Sequence, residues 1–452
     1  MKGILTENLI HLAKNCPAPL YVVGGSVRDF LANLDCDSQD IDLCAPLQPD
    51  EFLAAAKKSG FIPQAVYKHT GTVKLTDNNG KDYEFTSFRS DKYVRGVHSP
   101  VEIFFTDDIV KDAKRRDFKA NAVYYDIQAE RFVDPLGGIS DIQNKRFSTV
   151  DDAKKVFGED GLRLMRLARQ SGQTGFTPTE ECLFGAKQNA ALIRDISAER
   201  IFTELSACLL ADEKYGNPTG HYDALKILNA VGVLKEILPE LCLGENMIQR
   251  ADFHNYDVLE HSLRALLYAD KKVRLAALLH DVGKPYCKTR SGHSHGHDKE
   301  GERIVREILR RLKAPNKTIE HTAELTRWHM YDFNGETKEN KLRKFFVEHF
   351  PLLPDLALLK QADFSGCKDD LSPCPTNVKW EKLQNKMKSE NAPMTLKALA
   401  VNGKDLLSLG VQKQNVAKLL NKLLVHTAIN PKDNTKERLL KLAAATIQGE
   451  NL

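Results

Sequence analysis

After the loop signal Asp134-Pro-Leu-Gly-Gly138 the periodicity of the chain changes, and that change limits what it can fold into. Before it, short apolar runs (Leu20 to Val23, Val73 to Leu75, Tyr83 to Phe85) alternate with Gly- and Asp-containing turns, the pattern of short strands in a small mixed unit. After it, apolar residues recur at helical spacing to the end. Helices are predicted over Leu162 to Ala168, Ile201 to Leu210, Val258 to Leu279, Ile304 to Leu312 and Val416 to Leu424. At 452 residues the chain exceeds one ordinary core, and no internal repeat divides it. The expected class is α+β: an N-terminal α/β head followed by an elongated all-helical body. The expected divisions are 1–150 for the head, 151–215 for a helical neck, 216–370 for the body and 371–452 for a helical tail.

With 42% hydrophobic and 28% charged residues, the composition is that of a globular protein rather than a disordered one. The net charge of +4 permits a polyanionic partner without demanding one, because a basic face matters more than a total. Nine cysteines run from Cys16 to Cys374 with no CxxC pair, which argues against a disulfide framework and a thiolate zinc site. Reduced thiols are expected. The chain starts without a basic-then-apolar leader, and its apolar runs fall far short of about 18 residues. A soluble cytoplasmic protein with no membrane attachment is the expectation.

Within the head, Tyr21-Val-Val-Gly-Gly-Ser-Val-Arg-Asp29 reads as a strand, two glycines and a helix. Glycines at Gly24 and Gly25 let backbone N–H groups approach a phosphate, whose charge the helix N-terminus favours. Asp40-Ile-Asp42 sets two carboxylates at i and i+2, on one face if the segment is a strand. Converging carboxylates with substrate phosphates are a usual way to hold Mg²⁺, although a lone D-x-D is as readily an acidic loop. Glu84, in mid-strand, is either a third acid of that site or a charge on an exposed strand face.

Arg115-Arg116-Asp117-Phe118 with Asn121 supplies guanidinium forks for triphosphate oxygens and Asp and Asn for ribose hydroxyls. Alone it would be a solvated basic patch. In Glu159-Asp160-Gly-Leu-Arg163-Leu-Met-Arg166-Leu-Ala-Arg169, Asp160 and three arginines recur every third residue, one drifting polar stripe if the whole segment is helical. Such a stripe is either an ordinary salt-bridged helix face or a side-chain template. As a template, Asp160 and Arg163 present hydrogen-bonding edges to a base while Arg166 and Arg169 reach phosphates.

In order and spacing these motifs resemble the class II (bacterial-type) tRNA nucleotidyltransferases, a family of CCA-adding enzymes and poly(A) polymerases. The resemblance spans the first 210 residues, closing at Glu199-Arg200-Ile201. It implies that Asp40 and Asp42 bind catalytic Mg²⁺ with Glu84 assisting, and that Gly24, Gly25, Arg28, Arg116, Asp117 and Asn121 hold the nucleotide. It further implies that Asp160 and Arg163 select CTP or ATP, with Arg166 and Arg169 supporting the phosphates, and that the 3′ end of tRNA is the primer. Two features are this chain's own. Gln170 stands where the family often has Phe, and Lys92-Tyr-Val-Arg-Gly-Val-His-Ser99 fills a loop of full length, which members adding only CC shorten.

Downstream, His261, His280-Asp281, His297, His329 and Asp363 follow the order of the HD phosphohydrolase superfamily. Imidazole and carboxylate ligands suit a divalent transition metal, and a bridging Asp281 would allow two. His293-Ser-His-Gly-His297 offers three candidate histidines, of which His297 is taken. Gln249 to His261 resembles the HD-containing subgroup of CCA-adding enzymes, which raises a second activity on damaged RNA ends by analogy of fold. Leu399-Ala-Val-Asn-Gly-Lys-Asp-Leu-Leu407 resembles the family's tail. Lysines and arginines at 303–317, 341–344 and 411–441 are available to neutralise tRNA phosphates, as any solvated helix face would be. Three readings share these motifs: CCA addition, addition of A alone by an A-adding enzyme or poly(A) polymerase, and an HD hydrolase with an idle head.

Overall fold

The computed structural model describes residues 1, 4–34, 40–93 and 100–450, the side chains of residues 40 and 448–450 excepted. The loop Val94 to Ser99 singled out above lies outside the described residues. Two compact units make up the chain: Met1–Cys242 with Ile308–Ala314, and Leu243–Glu307 with Pro315–Leu452.

The first unit holds the sheet. Its strands are β1 (Tyr21–Val23), β2 (Asp40–Ala45), β3 (Ile62–Tyr67), β4 (Thr72–Thr76) and β5 (Asp82–Ser87), a separate hairpin of β6 (Arg89–Lys92) and β7 (Glu102–Phe105), then β8 (Tyr124–Asp126) and β9 (Arg131–Val133). Seven of them pair in the order β3-β4-β5-β2-β1-β8-β9. Only the β2–β5 pair among these is parallel, and it aligns Asp42 with Glu84. Pleating settles which residues of β2 are inside: Ile41 and Leu43 are buried, Phe52 stacks on Phe85 beneath the sheet, and Asp42 is left exposed. The strands predicted from the three apolar runs are β1, β4 and β5.

Helices follow. Leu162–Thr174 is buried along most of its length and crosses Gly220–Ala230 through two glycines. A Cβ on Gly172 would lie 2.3 Å from the Gly220 carbonyl oxygen, and a Cβ on Gly220 2.3 Å from that of Gly172. One predicted helix divides in two: Val258–Tyr268 and Arg274–Leu279. Between them the backbone turns extended at Ala269, and the Asp270 carboxylate accepts the Lys272 N–H, a local bond that competes with the helix. In the second unit Leu325, Phe345, Phe346, Leu356, Leu359 and Trp380 form the main core. A smaller one gathers Leu406, Leu419, Leu423 and Leu439 near the end of the chain. The described cysteines are unpaired. Among the described residues no helix is long and apolar enough to cross a membrane.

Candidate functional site

In the head, β1 runs into Gly24, whose φ of +82° and ψ of −145° belong to glycine, and the helix Gly25–Leu31 starts at once. A Cβ on Gly24 would stand 2.8 Å from Asp42 Oδ2, so the glycine leaves open the space in front of that carboxylate. A cavity of about 400 Å³ lies there. Gly24, Gly25, Arg28, Asp42, Arg116, Asp117, Asn121, Asp160, Arg163, Arg166 and Arg169 all line it, so most of the residues picked out in the head converge on one place. The side chain of Asp40 lies outside the described set, and its backbone opens β2 two residues before Asp42. Glu84 sits beside Asp42 in the parallel register and pairs with Lys74 Nζ at 3.3 Å; it does not line the cavity.

The wall of this cavity is a hydrogen-bonded lattice. Asp117 accepts two bonds on Oδ2 from Arg166, at 2.9 and 2.7 Å, and one on Oδ1 from Asn121 Nδ2 at 2.9 Å. Burial alone would raise the Asp117 carboxyl, but Arg166 and these bonds outweigh it and hold it well below the usual carboxylate range. Arg28 donates to Asn121 at 2.9 Å, Gln170 at 3.0 Å and Asp29 at 2.6 Å, and the Tyr215 hydroxyl bonds Asp29 at 2.5 Å. Beneath Arg115 and Arg116 the fully buried Asp112 binds both guanidiniums and the Tyr124 hydroxyl. Burial opposes its charge, yet Arg116 and Arg115 prevail and lower it to about 2.

Two placements differ from the sequence reading. Asp160 is not on the helix that carries the arginines: its backbone is extended, and its carboxylate caps that helix by accepting the Leu162 N–H at 2.9 Å. Gly161 makes the turn possible, since a Cβ there would be 2.7 Å from the Leu192 carbonyl oxygen. Arg163 is buried and gives three of its N–H groups to Val156 O, Glu159 and Arg115 O, which fixes its guanidinium at the cavity edge. Sequence reasoning gave no role to Asp29, Asp112 or Tyr215. Asp29 stood within a quoted motif, whereas Tyr215 is 186 residues from its partner and carries no local signal.

A second site occupies the other unit. His261, His280, Asp281, His297, His329 and Asp363 converge as the HD pattern requires, while His293 and His295 are exposed. Asp281 divides its oxygens. Oδ2 faces His261 and His280 at 3.4 and 3.3 Å, and Oδ1 faces His297 and His329 at 3.2 and 3.7 Å. Asp363 Oδ1 is 3.1 Å from His261 and 3.4 Å from His280. Gly283 brings the next helix close, because a Cβ there would meet the His297 carbonyl oxygen at 2.2 Å.

The donor set fits cations. In His280, His297 and His329 the Nδ1 lies 2.8, 2.8 and 2.6 Å from the carbonyl oxygen three residues back. A carbonyl can only accept, so each Nδ1 carries the proton and each Nε2 turns a lone pair inward. Lone pairs then face one another at 3.2 Å for His297 and His329, while that of His280 faces His261 Nε2 at 3.1 Å, and all three face carboxylates besides. Without cations the cluster recruits protons. Burial opposes charge on His280, but Asp281 and Asp363 overcome it and push it up to about 10. Burial moves His329 the other way, to about 4. Lys284, absent from the predicted set, lies 2.5 Å from Asp281 Oδ2. A cavity of about 610 Å³ reaches His329 and Asp363 past Phe253, Phe333 and Phe364, with Lys360 in its wall.

Three families match in succession: "Poly A polymerase head domain" over residues 20–148, "Probable RNA and SrmB- binding site of polymerase A" over 175–243, and "HD domain" over 258–363. The CCA-adding enzyme of Geobacillus sp. (strain WCH70) is 36% identical over 240 residues, 53% of this chain and 55% of that enzyme, so the match spans about half of that relative's length. The A-adding tRNA nucleotidyltransferase of Deinococcus radiodurans is 30% identical over 370 residues, 77% of this chain and 76% of that one. The crystal structure of Bacillus stearothermophilus CCA-adding enzyme in complex with CTP superposes with a TM-score of 0.68 at 23% identity, over 99% of each chain, a likeness of fold.

Proposed function

The chain belongs to the bacterial-type tRNA nucleotidyltransferase family, in its HD-containing subgroup, and from that membership we propose that it adds or repairs the 3′-terminal CCA of tRNA from CTP and ATP without a nucleic-acid template. One observation carries the reading: a single cavity gathers the glycine turn, Asp42, the Arg116–Asn121 segment and the arginine helix. Asp40 and Asp42 would hold Mg²⁺, with Glu84 on the adjoining strand assisting, and the ion would neutralise phosphate charge and acidify the attacking hydroxyl. Asp117 and Asn121 read the ribose, and Asp160 and Arg163 read the base edge. Arg28, Arg116, Arg166 and Arg169 face the triphosphate, with the amides after Gly24 and Gly25 behind it. The terminal hydroxyl of the primer attacks the α-phosphorus and pyrophosphate leaves, with most of the acceleration coming from positioning and fixed charge.

Residues 1–150 are assigned as the head, 151–215 as the nucleotide-selecting neck, 216–370 as the body with the HD domain and 371–452 as the tRNA-binding tail, in a cytoplasmic enzyme. His261, His280, Asp281, His297, His329 and Asp363 would hold a divalent transition metal for a phosphohydrolase activity on RNA ends. The Deinococcus relative favours a second reading, addition of the terminal A alone.

Transcripts ending before CCA, after C and after CC, incubated with CTP, ATP or both, decide between these. Addition that stops at one CCA and disappears in Asp42→Ala supports the proposal. Extension of the CC end alone means A addition, and long A tails mean a poly(A) polymerase. No extension moves the function to the HD site.

A further inference from the structure

His261 breaks the rule that its neighbours obey. Its ring is fully buried, and its Nε2 belongs to the central cluster, 3.1 Å from Asp363 Oδ1. Yet no backbone carbonyl takes its Nδ1, which is buried without a hydrogen-bond partner. A ligand histidine almost always gives its second nitrogen to a carbonyl or carboxylate, and a buried nitrogen left unmet has lost its hydration with nothing in return. The neighbouring ring, His254, has the same defect at its own Nδ1. The two rings stand edge to face with centroids 4.8 Å apart. They begin a continuous row of imidazoles that passes from His261 to His280 at 5.1 Å, to His329 at 5.2 Å and to His297 at 5.1 Å.

Cys367 closes the end of that row. It follows Asp363 by one helical turn on Leu353–Lys368, so both side chains share a face. One ring nitrogen each of His254 and His261 and the Cys367 sulfur lie within 4.8 Å of one another. The loop bearing His254 is tied to this helix by the Asn255 N–H, which donates to the Cys367 carbonyl oxygen at 3.0 Å.

We propose that His254, His261 and Cys367 form a third cation site, with a donor set of two nitrogens and one sulfur, joined to the carboxylate-centred cluster through the two nitrogens of His261. The inference rests on the metal reading of the HD cluster and extends it. Thiolate and imidazole select thiophilic divalent ions such as Zn²⁺ and Co²⁺ over Mg²⁺, so this position discriminates more sharply than the imidazole–carboxylate ones. On binding, the thiol of Cys367 and the ring of His261 each release a proton to solvent, and the imidazole is shared by two cations. The unmet nitrogens are thereby satisfied, and the His261 ring is pinned from both sides.

Cobalt reads this directly, without any assay of activity. The full chain, stripped of metal and titrated with Co²⁺, should develop a near-ultraviolet thiolate-to-cobalt charge-transfer band alongside its visible ligand-field bands. Cys367→Ser should abolish the thiolate band and lower bound cobalt by about one equivalent, while the visible bands of the imidazole–carboxylate sites persist. Cys374→Ser, at a buried cysteine nearby, should leave the band in place. In the unmutated chain, Zn²⁺ should slow alkylation of Cys367. No charge-transfer band at saturation, a band untouched by Cys367→Ser, or alkylation indifferent to Zn²⁺ overturns the third site. Loss of all cobalt binding in the unmutated chain overturns the metal reading on which it rests.

Discussion

Gln170 is where one residue decides most. It is buried within the hydrogen-bonded lattice of the cavity wall. Its Oε1 accepts from Arg28 at 3.0 Å and from Asn121 at 2.9 Å, joining the guanidinium of one to the amide of the other. An apolar side chain here would offer neither donor an acceptor, so in this chain a bond from Gln170 orients Arg28 and Asn121. Gln170→Leu keeps much of the volume and removes the acceptor. Leaving buried donors unmet costs about 1–3 kcal/mol, or roughly 5- to 150-fold in an equilibrium. The loss should appear in kcat/KM for CTP and ATP alike, because neither bond touches the base. It should also narrow the preference for ribo- over 2′-deoxynucleotides, since Asn121, the residue proposed to read the ribose, loses its orientation. Steady-state kinetics with the four nucleotides checks both. An unchanged sugar preference would mean that Asp117 and Arg28 hold Asn121 without Gln170.

At the scale of elements, close approach separates two glycines that look alike in sequence. Gly172 and Gly220 sit where two helices touch backbone to backbone, and the atoms a methyl group would meet are carbonyl oxygens 2.3 Å away that cannot swing aside. Gly172→Ala must part the helices and shift the arginine helix, costing about 1–3 kcal/mol or more and lowering activity with it. Gly158, inside Ala153–Glu159, meets only the Asn189 side chain at 3.6 Å. There alanine relieves a helical glycine and should stabilise by about 0.5–1 kcal/mol. Thermal melts of the two variants should therefore move in opposite directions. Nothing in the local sequence distinguishes these positions, and the same holds elsewhere in the molecule. The strand bearing Asp42 was legible because pleating and alternation are local, and the HD residues because their order is unusual. Asp160 was misplaced onto a helix because spacing by threes does not reveal which residue caps and which continues. Val258 to Leu279 read as one helix because its apolar pattern runs through a turn made by one aspartate. Tyr215 and Asp112 were invisible, since what defines them is a partner brought near by the fold.

The whole molecule is two units with separate cores, each carrying its own charged site, and the charges differ in what satisfies them. In the head, Asp112 and Asp117 are paired with arginines of the same unit, so those carboxylates need no ligand to satisfy them. In the HD cluster, imidazole lone pairs face carboxylates and one another, so that site gains most from a cation. A ligand bound by the folded state alone stabilises by RT ln(1 + [L]/Kd), about 2.7 kcal/mol at a hundredfold excess over Kd. Unfolding should accordingly resolve into two transitions that answer to different ligands. CTP with Mg²⁺ should raise the transition of the first unit. Removal of transition metal by a chelator should lower that of the second, and His280→Ala should make it insensitive to chelator while leaving the CTP response intact. Calorimetry with and without each ligand measures this. If CTP moved both transitions equally, the two units would be one cooperative body, and occupancy of the HD site would bear on nucleotide addition through the fold itself.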